Sequence, residues 1–335
     1  MVDEKAWSEF APLSLTEMVT GATDSSPEKL PTASGAAGAD ARPETPAPPA
    51  VIKWREEVMQ LTKARLNMFV IFTTLLGFIY ASQGAIDFLL MFHTIIGTAM
   101  VAGGSAALNQ VMEVDQDRLM KRTRNRPLPS GRIGMVHAMS FGIGVSVIGL
   151  GYLFFSSGWL PMVLALATTV VYLLLYTPLK QTTVHNTLIG AISGAIPPVI
   201  GSAAVSGRVD LVGAFLFGIL FFWQMPHFLA IAWMYREQYE QAGFRMWPMI
   251  DELGRSTSFQ MLVYALCLLA TSLVPVLLGW NNWIYGVIAV LSGGSMTAFA
   301  LVFWRTKERV DARRLFFSTL FYLPILLVAL VLTRR

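Results

Sequence analysis

Nine apolar stretches, each about the length of a bilayer crossing and almost free of charge, dictate what this chain can become. They lie at about 66–82, 88–111, 137–156, 159–177, 187–206, 211–235, 258–279, 283–303 and 315–332. A hydrocarbon core is crossed by roughly 20 apolar helical residues. Inside it every backbone N–H and C=O must find a partner within the protein, which leaves helices rather than open sheet. The expected fold class is therefore all-α, a polytopic membrane bundle of about nine transmembrane helices. Composition agrees: only 14% of the residues are charged and mean hydropathy is +0.55, where soluble domains carry about 25% charged residues. The single cysteine, Cys267, excludes an internal disulfide and a thiolate metal cluster.

Residues 1–50 form a different region, rich in Ala, Pro, Gly and Thr. Its acids (Asp3, Glu4, Glu9, Glu17, Asp24, Glu28, Asp40, Glu44) outnumber its bases (Lys5, Lys29, Arg42). It has neither the basic start and apolar core of a signal peptide nor the Arg-rich, acid-poor character of a transit peptide. The expectation is a disordered cytoplasmic tail on a protein of a bacterial inner membrane. Val51–Arg65 reads as an interfacial helix leading into the first span. Of the 25 Lys and Arg residues, all but Arg208, Arg334 and Arg335 fall on one side of a nine-span layout. By the positive-inside rule the N-terminus is cytoplasmic and the C-terminus periplasmic. The long charged loops after the second and sixth spans place any site for a charged substrate at the cytoplasmic face.

The second span runs out into Asn109-Gln-Val-Met-Glu113-Val-Asp115-Gln-Asp117. Asn109, Glu113 and Asp117 follow one another at four-residue intervals and share one helix face, whereas Asp115 points away. Stacked carboxylate and amide oxygens are hard ligands suited to Mg²⁺, which binds through few carboxylates plus phosphate oxygens. Arg118, Lys121, Arg122, Arg124 and Arg126 come next, and acids beside bases suit a magnesium diphosphate. An ordinary solvated helix end would look similar, but Asn109 lies inside the apolar span, where polar groups are costly.

The stripe and the following MKRTRNRPLPSGR resemble the first signature of the UbiA superfamily of intramembrane prenyltransferases, and are similar to its heme O synthase branch. YTPLKQTTVHNTLIGAISGAIPPVIG (176–201), WQMPHF (223–228), YREQYEQAGFRM (235–246) and ARRLFFSTLFY (312–322) extend the likeness in order over most of residues 55–332. The chain departs from the pattern at Glu113, where the superfamily has Asp, and at Gln238, where a carboxylate often precedes the Tyr of the second motif. Glu237 or Glu240 is then the candidate for a second Mg²⁺. The resemblance makes residues 51–335 a transmembrane prenyltransferase domain. It implies Mg²⁺ on Asn109, Glu113 and Asp117, with Arg118, Lys121, Arg122 and Lys180 on a diphosphate and Arg126, Tyr176, Asn186 and Tyr239 contacting substrate.

His227 lies about two turns inside the sixth span, between Trp223 and Phe228 and beside Pro226. A lone membrane histidine is usually a packed hydrogen-bonding group. A flat tetrapyrrole, however, wants aromatic walls and an imidazole ligand, so Trp223 and His227 are expected against heme. Gly190, Ser193, Gly194 and Ala195 permit close helix contact, and Pro197-Pro198 breaks regular helix.

The reaction implied joins heme B and farnesyl diphosphate to give heme O, with Mg²⁺ as cofactor and lipid as surroundings. Heme A synthase or terminal-oxidase assembly would be the downstream partner, and no nucleic acid is expected. Two alternatives stay open: a sister enzyme acting on an aromatic quinone precursor, and a non-catalytic heme-binding oxidase assembly protein.

Overall fold

The computed structural model describes residues 54–82 and 84–335. The expected tail, residues 1–50, and the start of the interfacial helix, residues 51–53, lie outside the described residues. The helices in chain order are α1 (Trp54–Leu61), α2 (Ala64–Ala81), α3 (Phe88–Met112), α4 (Val114–Leu119), α5 (Met135–Ser157) and α6 (Trp159–Val170). A π-helical segment, Val171–Tyr176, joins α6 to α7 (Thr177–Thr182). There follow α8 (Asn186–Ala195), α9 (Pro197–Ser206), α10 (Leu211–Met234), α11 (Arg236–Gln241), α12 (Trp247–Ile250), α13 (Arg255–Ser272), α14 (Val274–Leu277), α15 (Trp283–Thr306) and α16 (Arg309–Leu332).

Among the described residues, nine helical stretches are long and apolar enough to cross a membrane. They match the nine sequence stretches within a few residues, with two extensions. The fourth runs to Thr182, past Pro178, which is tolerated because it occupies the first turn of α7. The ninth begins at Arg309 because its charged first turns remain helical, with Arg314 donating to Asp311 (2.8 Å). The fifth span breaks at Ile196, before Pro197-Pro198, into α8 and α9.

Small residues bring the helices together. α2 and α9 touch through Gly77 and Gly201: a Cβ on Gly77 would sit 2.1 Å from the Pro198 carbonyl oxygen, and one on Gly201 the same distance from that of Thr74. Gly104 meets Ser146 and the Gly142 carbonyl across α3 and α5 in the same way. Lipid tails give no hydrophobic drive between helices, so backbone approach through small residues supplies the contact. Gly190 packs on the Tyr176 ring and Gly194 on the Gln224 amide.

One end of the bundle is clamped by neutral groups. Tyr80 Oη donates to Asn281 Oδ1 (2.7 Å), and Asn281 Nδ2 donates to the Leu330 carbonyl (2.7 Å) and to Thr333 Oγ1 (3.0 Å). The other end carries the basic loops and the polar residues described next.

Candidate active site

The stripe at the end of the second span survives a break in its helix. α3 ends at Met112 and α4 restarts at Val114, with Glu113 between them at φ −107° and ψ 14°. The ladder nonetheless continues: Glu113 N–H bonds the Asn109 carbonyl (3.0 Å), and Asp117 N–H bonds that of Glu113 (2.8 Å). Asn109, Glu113 and Asp117 are all buried, and the two acids line one cleft of roughly 100 Å³. Asp115 is exposed and pairs with Arg118 at 2.9 Å.

Each member of the stripe faces a cation. Lys63 Nζ donates to Asn109 Oδ1 (2.5 Å), Lys180 Nζ to Glu113 Oε1 (2.7 Å), and Arg126 Nη1 to both oxygens of Asp117 (3.2 and 2.9 Å). The Asn109 amide is oriented by its nitrogen, which donates to Thr177 Oγ1 (3.0 Å), so its oxygen is the atom turned toward Lys63. Two carboxylates and an oriented amide oxygen fit a Mg²⁺ that completes its shell with phosphate oxygens.

These contacts shift the protons. Burial pushes the Glu113 carboxyl up, but Lys180 and Lys63 together hold it below its ordinary value. Lys63 is brought down to about 7 by burial, with Arg126 and Lys180 repelling its charge more than Glu113 and Asp117 offset.

The π-helical segment arranges the opposite wall. Tyr172 and Tyr176 stack with ring centroids 5.9 Å apart, and Lys180 Nζ lies 4.4 Å from the Tyr176 centroid. Lys63 also reaches Tyr172 Oη at 3.4 Å. Tyr239, Phe244, Met246 and Arg122 complete the cleft. Neither Lys63 nor Tyr172 was singled out by sequence. Tyr172, Tyr176 and Lys180 do repeat the four-residue spacing of the acidic stripe, and that repeat was the available signal.

Three groups of expected site residues lie away from the cleft. Arg118, still within α4, turns outward to Asp115 one turn earlier, off the face of the stripe; the chain leaves helix at Met120, so helical phase no longer aims Lys121, which is exposed on a turn and does not line the cleft. Asn186 is fully buried and does not line the cleft: its Nδ2 donates to the Thr183 carbonyl (2.6 Å) and to that of Arg245 (2.5 Å). It instead ties the loop before α12 to the start of α8. Glu237 lines a different cavity from the acidic cleft, and Glu240 is exposed.

His227 sits between Trp223 and Phe316, ring centroids 4.9 Å away on either side. Its Nδ1 bonds Thr319 Oγ1 (2.8 Å), and that hydroxyl donates its one proton to the Phe316 carbonyl (2.6 Å). Nδ1 must therefore carry the imidazole proton, leaving Nε2 with a lone pair. Trp223 donates to the Thr319 carbonyl (2.7 Å) and stacks on Phe69, so it acts as packing here.

Residues 70–324 match the UbiA prenyltransferase family. The chain belongs to that family. Among its relatives, the protoheme IX farnesyltransferase of Solibacter usitatus is 39% identical over 287 residues, covering 83% of this chain and 98% of that protein. The fold is shared with solved structures of low identity. A digeranylgeranylglyceryl phosphate synthase superposes with a TM-score of 0.72 at 16% identity, over 83% of this chain and 98% of that one. A UbiA homologue from Archaeoglobus fulgidus bound to GPP and Mg²⁺ gives 0.57 at 13% identity, over 83% and 100%.

Proposed function

We propose that this UbiA-family chain transfers a farnesyl group from farnesyl diphosphate to a vinyl group of heme B, giving heme O and diphosphate at the cytoplasmic face of a bacterial inner membrane. The observation that carries the reading is the cleft. Two carboxylates and an oriented amide oxygen are set against Lys63, Lys180, Arg122 and Arg126 at the mouth of an apolar bundle. The choice of farnesyl and heme rests on the named relative.

A Mg²⁺ held by Asn109, Glu113 and Asp117 would supply positive charge for the diphosphate. The chain's own cations do the rest of the neutralisation. Lys63, Lys180 and Arg126, already placed by the stripe, stabilise the negative charge that grows on the departing diphosphate oxygen. As the C1–O bond breaks, its electron pair stays with the diphosphate. The vinyl π pair then bonds C1 through its terminal carbon. The cation left beside the ring takes water and loses a proton, giving the hydroxyethylfarnesyl group. Tyr172 and Tyr176 wall the leaving group, and the apolar helices exclude water until that last step. His227 offers Nε2 to the heme iron, its tautomer fixed by Thr319.

Membranes given heme B, farnesyl diphosphate and Mg²⁺ should yield a heavier heme by mass spectrometry. Ala at Asn109, Glu113 or Asp117 should lower turnover at least ~100-fold, the scale of losing one transition-state charge contact. Asp115→Ala should stay near wild type. His227→Ala should raise KM for heme and leave KM for the diphosphate alone. An essential Asp115 with a dispensable Asp117 would overturn the site, and absence of farnesylated heme would overturn the reaction.

A further inference from the structure

A second, larger cavity of roughly 260 Å³ opens beside the acidic cleft, between the end of α10 and the turn joining α15 to α16. Its lining includes Trp233, Tyr235, Arg236, Glu237, Lys307 and Arg309. Three bases thus meet one acid, Glu237, which is exposed. Among the described residues, none of Arg236, Lys307, Arg309 or the neighbouring Arg313 forms an ion pair with a carboxylate. By contrast Arg118, Arg126, Arg132, Lys180 and Arg314 each have one. Arg236 lies over the Trp233 ring (5.1 Å), Arg313 over Phe317 (5.5 Å), and Lys307 Nζ reaches only the Trp304 carbonyl (3.0 Å). Nearby Asp311 is taken by Arg314 and Thr306.

The backbone adds a second observation. Among the described residues only two non-glycines have positive φ, Lys63 at 48° and Lys307 at 57°. Lys63 stands between α1 and α2, immediately before α2, and Lys307 closes α15; both are at the basic face, and each lines one of the two cavities. Glycine is the usual residue for a left-handed backbone position, and a side chain there is a strain that the surrounding structure must sustain. At Lys63 that conformation delivers an ammonium to the cleft; Lys307 repeats it next door.

The two cavities are adjoining. Tyr235 lines the basic one, and Tyr239, one turn on, lines the acidic one. Burial pushes the Tyr235 hydroxyl up, while Arg309, Arg122 and Arg313 pull it back. Three guanidiniums, one from the loop after α4 and two from the start of α16, therefore act on a single point. From there the seam between α10 and α16 leads inward to His227, eight residues and about 12 Å along the helix axis from Tyr235, where the imidazole stacks on Phe316.

We infer that the basic cavity is a carboxylate subsite that holds the two propionate groups of the tetrapyrrole acceptor. The inference rests on the heme reading above. Both propionates leave one edge of heme B, so a pair of carboxylates arrives together. Arg236, Lys307 and Arg309 can meet them with charge-assisted hydrogen bonds, with no metal between. The Trp233 face adds apolar contact at the ring edge. Anchoring the carboxylate edge at the aqueous face turns the vinyl edge into the bundle, toward the apolar space where a farnesyl chain leading from the adjoining cleft would lie. The cavity thereby sets which edge of the acceptor reacts.

The test compares heme B with its dimethyl ester by absorption titration on purified protein in nanodiscs, with mass spectrometry for product. Wild type should bind the free acid about tenfold more tightly than the ester, equivalent to about 1.4 kcal/mol. Arg309→Gln should weaken the free acid by a similar factor, leave the ester where it was, and keep KM for farnesyl diphosphate. Arg309→Lys should recover part of the loss. Equal affinity of wild type for acid and ester overturns the subsite and needs no variant. So does a variant defect that appears only in nanodiscs containing anionic lipid, since that describes a headgroup site. Wild type that binds heme with the acid preference but makes no farnesylated product overturns the parent reaction and supports the subsite.

Discussion

Lys63 is half-buried among cations, yet its amine is held within 2.5 Å of the Asn109 oxygen by a left-handed backbone conformation. Its proton should therefore report on folding. In the folded protein it is released near pH 7, whereas the unfolded chain holds it to about 10.5. Between those values the unfolded chain binds more protons, so stability rises with pH. The penalty for charging Lys63 is complete below about pH 7 and vanishes as pH approaches the unfolded value. Lys63→Met removes it. In Mg²⁺-free protein, the unfolding temperature of the variant minus that of wild type should be largest near about pH 6 and shrink steadily toward about pH 9. A difference that does not change with pH would show that the amine is not confined as described. Sequence could not reveal Lys63, because it reaches the stripe from the start of another span. Asn109, Glu113 and Asp117 could be read as one stripe because the backbone ladder keeps their four-residue register across the break at Glu113. Arg118 follows the phase of Asp115, which faces off the stripe, and Lys121 lies beyond the helix end, where there is no phase to read.

At the scale of elements, spacing reveals a span but not the flaws within it. The π-helical turn at Val171–Tyr176 was invisible as such: the Thr177 N–H bonds the Tyr172 carbonyl five residues back, and Thr177 Oγ1 donates to the same oxygen (2.8 Å). Such insertions cluster at functional sites, and this one carries Tyr172, Tyr176 and Lys180 to the cleft. The small-residue contacts were only partly legible: Gly190 and Gly194 drew notice by their spacing, whereas Gly77 and Gly201 lie on different spans and identify each other only once packed. Gly201→Ala would put a methyl 2.1 Å from the Thr74 carbonyl oxygen, in backbone that cannot rotate away. Overpacking of that kind costs about 1–3 kcal/mol or more. The variant should lose detergent-resistant folded protein in a thermal assay. Gly144→Ala, which meets nothing within 4 Å, should match wild type; equal behaviour of the two would deny that α2 and α9 meet as closely as described.

For the whole molecule, charge and architecture converge on one orientation. Lys63 starts the first span, Glu113 follows the second, Lys180 is near the end of the fourth, and Tyr239 follows the sixth. In an up-and-down bundle those four points share a face, and the structure brings them to one cleft. The same face carries the loop of Arg118, Lys121, Arg122, Arg124 and Arg126 and the turn of Lys307 and Arg309, whereas the opposite end is tied by Tyr80, Asn281 and Arg334. Basic loops resist translocation, so the cleft should open to the cytoplasm, where a water-soluble diphosphate head can enter without crossing the bilayer. Reporter fusions can decide this without any assay of activity. A fusion after Arg122 should be active only as a cytoplasmic reporter, and one after Arg335 only as a periplasmic reporter. Both reporting the same side would require an even number of crossings between those points, and one of the seven spans that separate them would have to lie in the interface. Both reporting reversed sides would keep the fold and turn the site outward, which would leave the basic loops unexplained by the membrane potential and overturn the cytoplasmic reading.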